Sequence, residues 1–189
     1  MTAALENRVR ASFLEQAEAC RDLGSPFTAR LCALAGKRLN TAQGEVAARI
    51  LSWPDEPGAA GDAVALRFAG ALHGLVLDGR AAALTKVYPP HDGMIDDDAL
   101  WTAMREACRD QAAVILAWLT SPPQTNEVRR SAIIYAGLSQ VAELFGLPLV
   151  LSELGASAGL NLKLDCYRYR LSGRTSQFAL SHRATAGLW

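Results

Sequence analysis

The sequence lacks a net charge, a cysteine motif and a long apolar run. Its 189 residues carry 19 basic and 19 acidic side chains, so the basic surface typical of nucleic-acid-binding proteins is not indicated. The four cysteines are scattered with no C-x-x-C spacing, which favours a reduced compartment, the cytoplasm. No uncharged apolar run reaches the ~18 to 20 residues that span a bilayer. We therefore expect neither a nucleic-acid partner nor a membrane partner.

Metal ligands at a recognisable spacing are also lacking. Of the three histidines, His91 and His182 lie in predicted loops with no second ligand nearby in the sequence, and His73 lies on an apolar helix. A zinc site needs three or four closely spaced Cys, His or carboxylate ligands. No metal site is predicted, and no catalytic residue is assigned.

Helical patterns dominate the first 145 residues. Apolar residues recur there every three or four positions, as expected for helices that bury one face. Polar caps, proline and glycine mark the helix ends: Pro26 suits a first helical position, Asp62 and Asp96 are predicted N-caps, and Gly146 ends the last helix. The predicted helices begin near Leu5, Pro26, Gln43, Asp62, Arg80, Asp96 and Asn126. The helix that begins at Asp96 is predicted to be the longest, ending at Ser121.

The pattern changes after Gly146. An apolar run at 147–151 predicts a buried parallel strand, 160–166 a short helix and 167–171 a second strand. The fold class predicted is therefore mainly α, with a helical domain at 1–145 followed at 146–189 by the first β-α-β unit of a Rossmann-like domain. Two parallel strands cannot stand alone. Either the chain is incomplete, or a second copy completes the sheet in a homo-oligomer.

The most informative segment joins the predicted strand to the predicted helix. Glu153 ends the strand and can accept hydrogen bonds from a ligand amine or a water. Gly155 permits a sharp turn at positive φ, the small residues 156–158 let a ligand lie on the backbone, and Gly159 lets the helix pack close to the strand. The predicted cofactor-binding residues are Glu153, Gly155, Ala156, Ser157, Gly159 and Asn161.

This segment resembles the first motif of class I S-adenosylmethionine-dependent methyltransferases, which is an acidic residue followed by Gly-x-Gly-x-Gly. Glu153, Gly155 and Gly159 match, and Ser157 replaces the middle glycine. The resemblance implies a small-molecule ligand, S-adenosylmethionine or a related nucleoside, and methyl transfer as a reaction. The chain departs from the family in having no Asp or Glu from residue 166 to 189, where an acid normally binds the ribose.

A dinucleotide is a poorer match to the same turn. The spacing between the two glycines is not G-x-G-x-x-G, and an acidic side chain at the strand end repels phosphate.

The same letters also match the nucleophile elbow Gly-x-Ser-x-Gly, with Ser157 as the nucleophile of an α/β-hydrolase-type esterase. That reaction needs a histidine base and an orienting acid. Only Asp165 and His182 follow Ser157 in the sequence, and the strands that should precede an elbow are lacking. A third alternative is a non-catalytic helical interaction module in which the turn is structural.

Two blocks of the sequence, 124–131 and 153–162, followed by Asp165 and Tyr167-Arg168-Tyr169, are similar to a bacterial family of uncharacterised proteins, a domain of unknown function. Members of that family are longer, which implies that the chain corresponds to their N-terminal half. The resemblance adds candidates that line a ligand cleft, with helix capping or a surface position as the alternative. These candidates are Gln124, Asn126, Glu127 and Asp165.

Overall fold

The computed structural model describes residues 3–90, 96–123, 127–171 and 174–177, with side chains as far as Tyr169. Contacts group the chain into two compact units, Met1–Pro123 and Gln124–Trp189. The domain limits expected from the sequence, 1–145 and 146–189, rest on the change of pattern at Gly146 and stay a prediction.

The described residues are mainly helical, as predicted. Their α-helices are α1 (Ala3–Asp22), α2 (Pro26–Arg38), α3 (Glu45–Leu51), α4 (Val64–Leu77), α5 (Ala82–Val87), α6 (Asp97–Asp110), α7 (Ala112–Leu119) and α8 (Arg130–Phe145). Short 3-10 helices cover Thr41–Gln43 and Asn161–Cys166, and two strands, β1 (Arg168–Leu171) and β2 (Arg174–Gln177), pair with each other.

Three helix ends predicted from single residues are confirmed. Pro26 is the first residue of α2, where its missing N–H costs nothing. The Asp96 carboxylate accepts a hydrogen bond from the backbone N–H of Ala99 at 2.6 Å and caps α6. Gly146 ends α8 in the left-handed conformation with φ of 61°, which glycine adopts without a Cβ clash.

The longest predicted helix and the cap at Asp62 are wrong. The helix expected from Asp96 to Ser121 breaks at Gln111, whose φ of −124° is not helical. The residues after the break form a separate helix, α7, which packs on α4. Ala63, not Asp62, precedes α4, and no side chain caps that helix. The Asp62 carboxylate instead accepts hydrogen bonds from the side chains of Trp53 and Arg67.

The hydrophobic core of the first unit draws on all of α1 to α7. Phe13 of α1 and Phe68 of α4 meet near its centre with ring centroids 6.3 Å apart. Burial of such side chains contributes roughly 1.5–3 kcal/mol each. The largest fully buried side chains are Phe13, Ile50, Leu51, Leu72, Leu75, Leu84, Leu100, Met104, Ile115, Leu119, Val9 and Val46.

Arg67 of α4 connects three parts of this unit. Its guanidinium donates to the Asp62 carboxylate at 2.9 Å and to the carbonyl of Leu119 at 3.0 Å. The indole N–H of Trp53 donates to the other Asp62 oxygen at 2.8 Å. Every member of the group therefore has a partner, as buried polar groups require.

Replacing Arg67 with alanine should lower the free energy of unfolding by about 2–3 kcal/mol, because Asp62 loses its cation and the Leu119 carbonyl its donor. Arg38→Ala is the control, since its partner Asp98 is 85% exposed and such pairs contribute about 1 kcal/mol or less. Urea denaturation measures both variants. Equal losses would contradict a special role for Arg67.

The β-α-β unit predicted after Gly146 is not present in the described residues. Residues 147–151 form no strand, and β1 pairs antiparallel with β2, with Arg168 opposite Gln177. The two strands of a hairpin are joined by a short turn, whereas two parallel strands need a long crossover connection. The strand predicted at 167–171 is confirmed, but its partner is not the one expected.

The second unit buries little apolar surface among its described side chains. Ser131, Asn161, Leu164 and Tyr169 are its buried residues, so two of the four are polar. Exposed large apolar side chains are numerous along α8 and the segment after it: Ile133, Ile134, Val141, Leu144, Phe145, Leu147, Val150, Leu151 and Leu154. Apolar patches of this kind mark surfaces that other groups cover.

None of the helices within the described ranges has the length and apolar character needed to cross a membrane.

Candidate functional site

The turn that follows Glu153 has positive φ at every second residue. Gly155, Ser157 and Gly159 have φ of 68°, 52° and 68°. Residues other than glycine rarely adopt this region, because the Cβ atom crowds the backbone. Ser157 thus has a backbone conformation that glycine adopts more readily than other residues do.

The role predicted for Gly159 in close helix packing is wrong. A Cβ atom added at Gly155 or Gly159 would meet no atom within 4 Å. Both glycines are therefore needed for their φ angles and not for a close approach.

The predicted helix at 160–166 is a 3-10 helix, interrupted at Lys163 with φ of −97°. The turn leads into it through bonds between residues three apart: the N–H of Gly159 donates to Ala156 at 2.8 Å, and that of Leu162 donates to Gly159 at 3.1 Å. This tighter spacing is the 3-10 pattern. Asn161 is the first residue of this 3-10 helix.

Asn161 and Glu153 meet across the turn. The Asn161 side-chain N–H donates to Glu153 Oε1 at 3.2 Å, and Asn161 is 5% exposed. The other two oxygens, Glu153 Oε2 and Asn161 Oδ1, are buried and have no hydrogen-bond partner among the described residues. Each such acceptor costs about 1–3 kcal/mol if it stays unpaired, so the pair fits a ligand that supplies hydrogen-bond donors.

Two tyrosines fix the 3-10 helix that carries Asn161. The Tyr167 hydroxyl donates to the carbonyl of Leu160 at 2.8 Å and the Tyr169 hydroxyl to that of Leu164 at 2.7 Å. Tyr169 also stacks on Tyr135 of α8, with ring centroids 4.3 Å apart. Burial raises the pKa of the Tyr169 phenol, and a hydrogen bond with Ser131 lowers it by less.

These tyrosines have no predicted role in the site. The signal was present in the spacing of Tyr167 and Tyr169, because residues two apart in an extended segment point to the same side.

Of the candidates outside the turn, the two that the structure describes, Glu127 and Asp165, have hydrogen bonds with residues other than Glu153 and Asn161. Gln124 and Asn126 lie outside the described residues. Glu127 is exposed and accepts a hydrogen bond from the backbone N–H of Arg129 at 3.0 Å, a contact of the capping kind. Asp165 is half-buried and accepts a long bond from the Cys166 thiol at 3.7 Å.

The reactive side chains described in the first unit include two buried thiols and one histidine. Burial raises the pKa of the Cys32 and Cys108 thiols to about 12, so neither is a nucleophile at neutral pH. His73, on α4, stacks on Tyr88 with ring centroids 5.8 Å apart. Over the described ranges, no group of three His, Cys, Asp or Glu residues could hold a metal ion. His91 and His182 lie outside those ranges.

A family model described as "Uncharacterized protein conserved in bacteria (DUF2332)" matches residues 10–184. No curated protein and no solved structure matches the chain.

Two glycine-to-alanine variants isolate the effect of the backbone at the turn, because an added Cβ meets nothing within 4 Å at either Gly155 or Gly137. Gly155→Ala should destabilise the second unit by about 1 kcal/mol, because φ of 68° opposes a side chain. Gly137→Ala, within α8, should stabilise it by about 0.5–1 kcal/mol.

Hydrogen exchange of the Leu162 amide and of the α8 amides measures these two effects. A neutral Gly155→Ala would contradict the turn geometry.

Proposed function

The chain belongs to the family of uncharacterised bacterial proteins DUF2332, whose description names no reaction, and we propose a function from the geometry of the turn. We propose that the segment 153–161 binds a small molecule, S-adenosylmethionine or a related nucleoside. Residues Glu153, Gly155, Ala156, Ser157, Gly159 and Asn161 hold it.

The observation that carries the proposal is the pair of buried acceptors beside the turn. Glu153 Oε2 and Asn161 Oδ1 have no partner among the described residues, and native proteins pair nearly all such atoms. A nucleoside offers amino and hydroxyl donors for them. A dinucleotide would bring its phosphates towards a carboxylate, and phosphate oxygens cannot donate.

The backbone of the turn supports the same ligand. Three positive φ angles at alternate positions match the pattern that Gly-x-Gly-x-Gly permits. The side chains of residues 156–158 are small, and Ser157 and Ala158 are exposed, so a ligand can approach the backbone closely. The proposal depends on this turn and not on a parallel sheet.

Methyl transfer is the reaction that we propose for such a ligand. S-adenosylmethionine supplies an electrophilic methyl group when bound, and the protein contributes the positioning of the two reactants. No described residue is assigned as a base or as an acceptor-binding group.

Isothermal titration calorimetry with S-adenosylhomocysteine tests the binding. We expect a Kd below about 100 µM for the wild-type protein. Gly155→Val should lose at least about tenfold in affinity, because a β-branched residue rarely adopts positive φ. Gly137→Ala, away from the turn, is the control and should bind as the wild type does.

Unchanged binding by Gly155→Val would remove the turn from the site. No binding by the wild-type protein would favour the helical interaction module over a nucleoside-binding protein.

A second candidate function, ester hydrolysis, is favoured by the φ of 52° at Ser157, since a nucleophile elbow also strains its serine. An elbow follows a strand, and the described residues before Ser157 contain no strand. We therefore expect no labelling of the protein by a fluorophosphonate. Labelling that disappears in Ser157→Ala would favour the hydrolase instead.

A further inference from the structure

Two cysteines are in contact inside the first unit. Cys20 lies in the last turn of α1 and Cys32 in the second turn of α2, and a hydrogen bond joins their thiol side chains. Both are free thiols, and their exposed fractions are 6% and 1%. Contact between two thiols is the first requirement for a disulfide.

The helical hairpin directs the two side chains towards each other. Only residues 23–25 join α1 to α2, and the two helices pack along each other, which is the arrangement of an antiparallel helix pair. Helical side chains lean towards the N-terminus of their own helix. Cys20 is the nearer of the two to the connection and leans away from it, whereas Cys32 leans towards it, so the two side chains converge.

Cys20 is the sulfur placed to react first. It lies beside the connection, where Leu23 is 85% exposed, so a local opening of this end of the hairpin exposes it before Cys32. Gln16 Nε2 donates a hydrogen bond to the Cys20 sulfur at 3.4 Å, and such a donor stabilises negative charge that develops on an attacking sulfur.

Cys32 is placed to react second. Its pKa is raised to about 12, mainly by burial and to a smaller extent by the charge and the hydrogen bond of Cys20. The two contributions from Cys20 are lost once the Cys20 sulfur is oxidised and carries no charge, and Cys32 then has a reaction partner in direct contact.

We propose that Cys20 and Cys32 form a redox site, a dithiol that a peroxide closes to a disulfide between α1 and α2. The Cys20 sulfur attacks one peroxide oxygen, the O–O bond breaks, and a sulfenic acid forms at Cys20 as water leaves. The Cys32 sulfur then displaces hydroxide from the sulfenic acid, and this hydroxide takes the Cys32 proton and leaves as water. Two thiols and one hydrogen peroxide thus give one disulfide and two waters. The inference is independent of the proposed nucleoside function.

Peptide mapping of the folded wild-type protein after treatment with hydrogen peroxide tests the inference. Trypsin places the four cysteines in four different peptides, because an Arg or Lys lies between each cysteine and the next. After alkylation of the remaining free thiols, we expect the peptides 11–21 and 31–37 to be linked, with a mass about 2 Da below the sum of the two, and to separate on reduction. Free thiols at Cys20 and Cys32, a sulfinic acid at Cys20, or links only to Cys166 would overturn the inference.

Two variants and one denatured control show whether the fold selects the pair. Cys32→Ala should abolish the linked peptides, whereas Cys166→Ala, at an exposed cysteine, should leave their yield unchanged. In concentrated urea the wild-type protein should give links among all four cysteines, because no structure holds two of them together. The same mixture from the folded protein, or loss of the linked peptides in Cys166→Ala, would contradict a site at Cys20 and Cys32.

Discussion

The hydrogen bond from Asn161 to Glu153 holds the two ends of the turn together, and the functional account depends on it. It joins the 3-10 helix to the segment before Gly155 at 3.2 Å. It uses one oxygen of Glu153 and the N–H of Asn161, and the remaining oxygens, Glu153 Oε2 and Asn161 Oδ1, have no partner among the described residues. The tyrosines at 167 and 169 support this arrangement through the carbonyls on either side of Asn161. The turn is thus held by the Asn161–Glu153 hydrogen bond, and the helix that carries Asn161 is held by the two tyrosine hydroxyls.

The two units of the chain differ in how completely their polar groups are satisfied. In the first unit, Trp53, Asp62 and Arg67 each have a hydrogen-bond partner, and Trp53 belongs to the apolar core. In the described part of the second unit, the buried oxygens Glu153 Oε2 and Asn161 Oδ1 have no hydrogen-bond partner, and Val150 and Leu154 are 94% and 100% exposed. Unsatisfied buried polar atoms require an explanation, and a bound ligand is one. On this ground we propose that the function of the described chain lies in the second unit.

Sequence reasoning succeeded where local chemistry decides the structure. A proline at 26, a capping aspartate at 96 and a glycine at 146 each determine a helix end from neighbouring atoms alone. The strand predicted at residues 147–151 is wrong, because a strand forms only when another strand pairs with it. The strand expected to be its partner, β1, pairs instead with β2, which follows β1 directly in the chain. Glu153 and Asn161 were both predicted from the sequence as binding residues. Neither the hydrogen bond between them nor the burial of Asn161 follows from their spacing in the sequence. That geometry depends on the 3-10 form of 161–166, which periodicity does not distinguish from an α-helix.

A crystal structure of the protein with S-adenosylhomocysteine bound would test the central claim most directly. The account predicts that a donor nitrogen or oxygen of the ligand lies within hydrogen-bond distance, about 2.7–3.2 Å, of Glu153 Oε2 or Asn161 Oδ1. It also predicts that the ligand lies against the backbone of 155–159. A ligand bound elsewhere, or a Glu153–Asn161 pair satisfied entirely by protein groups or water while the ligand is bound, would contradict it.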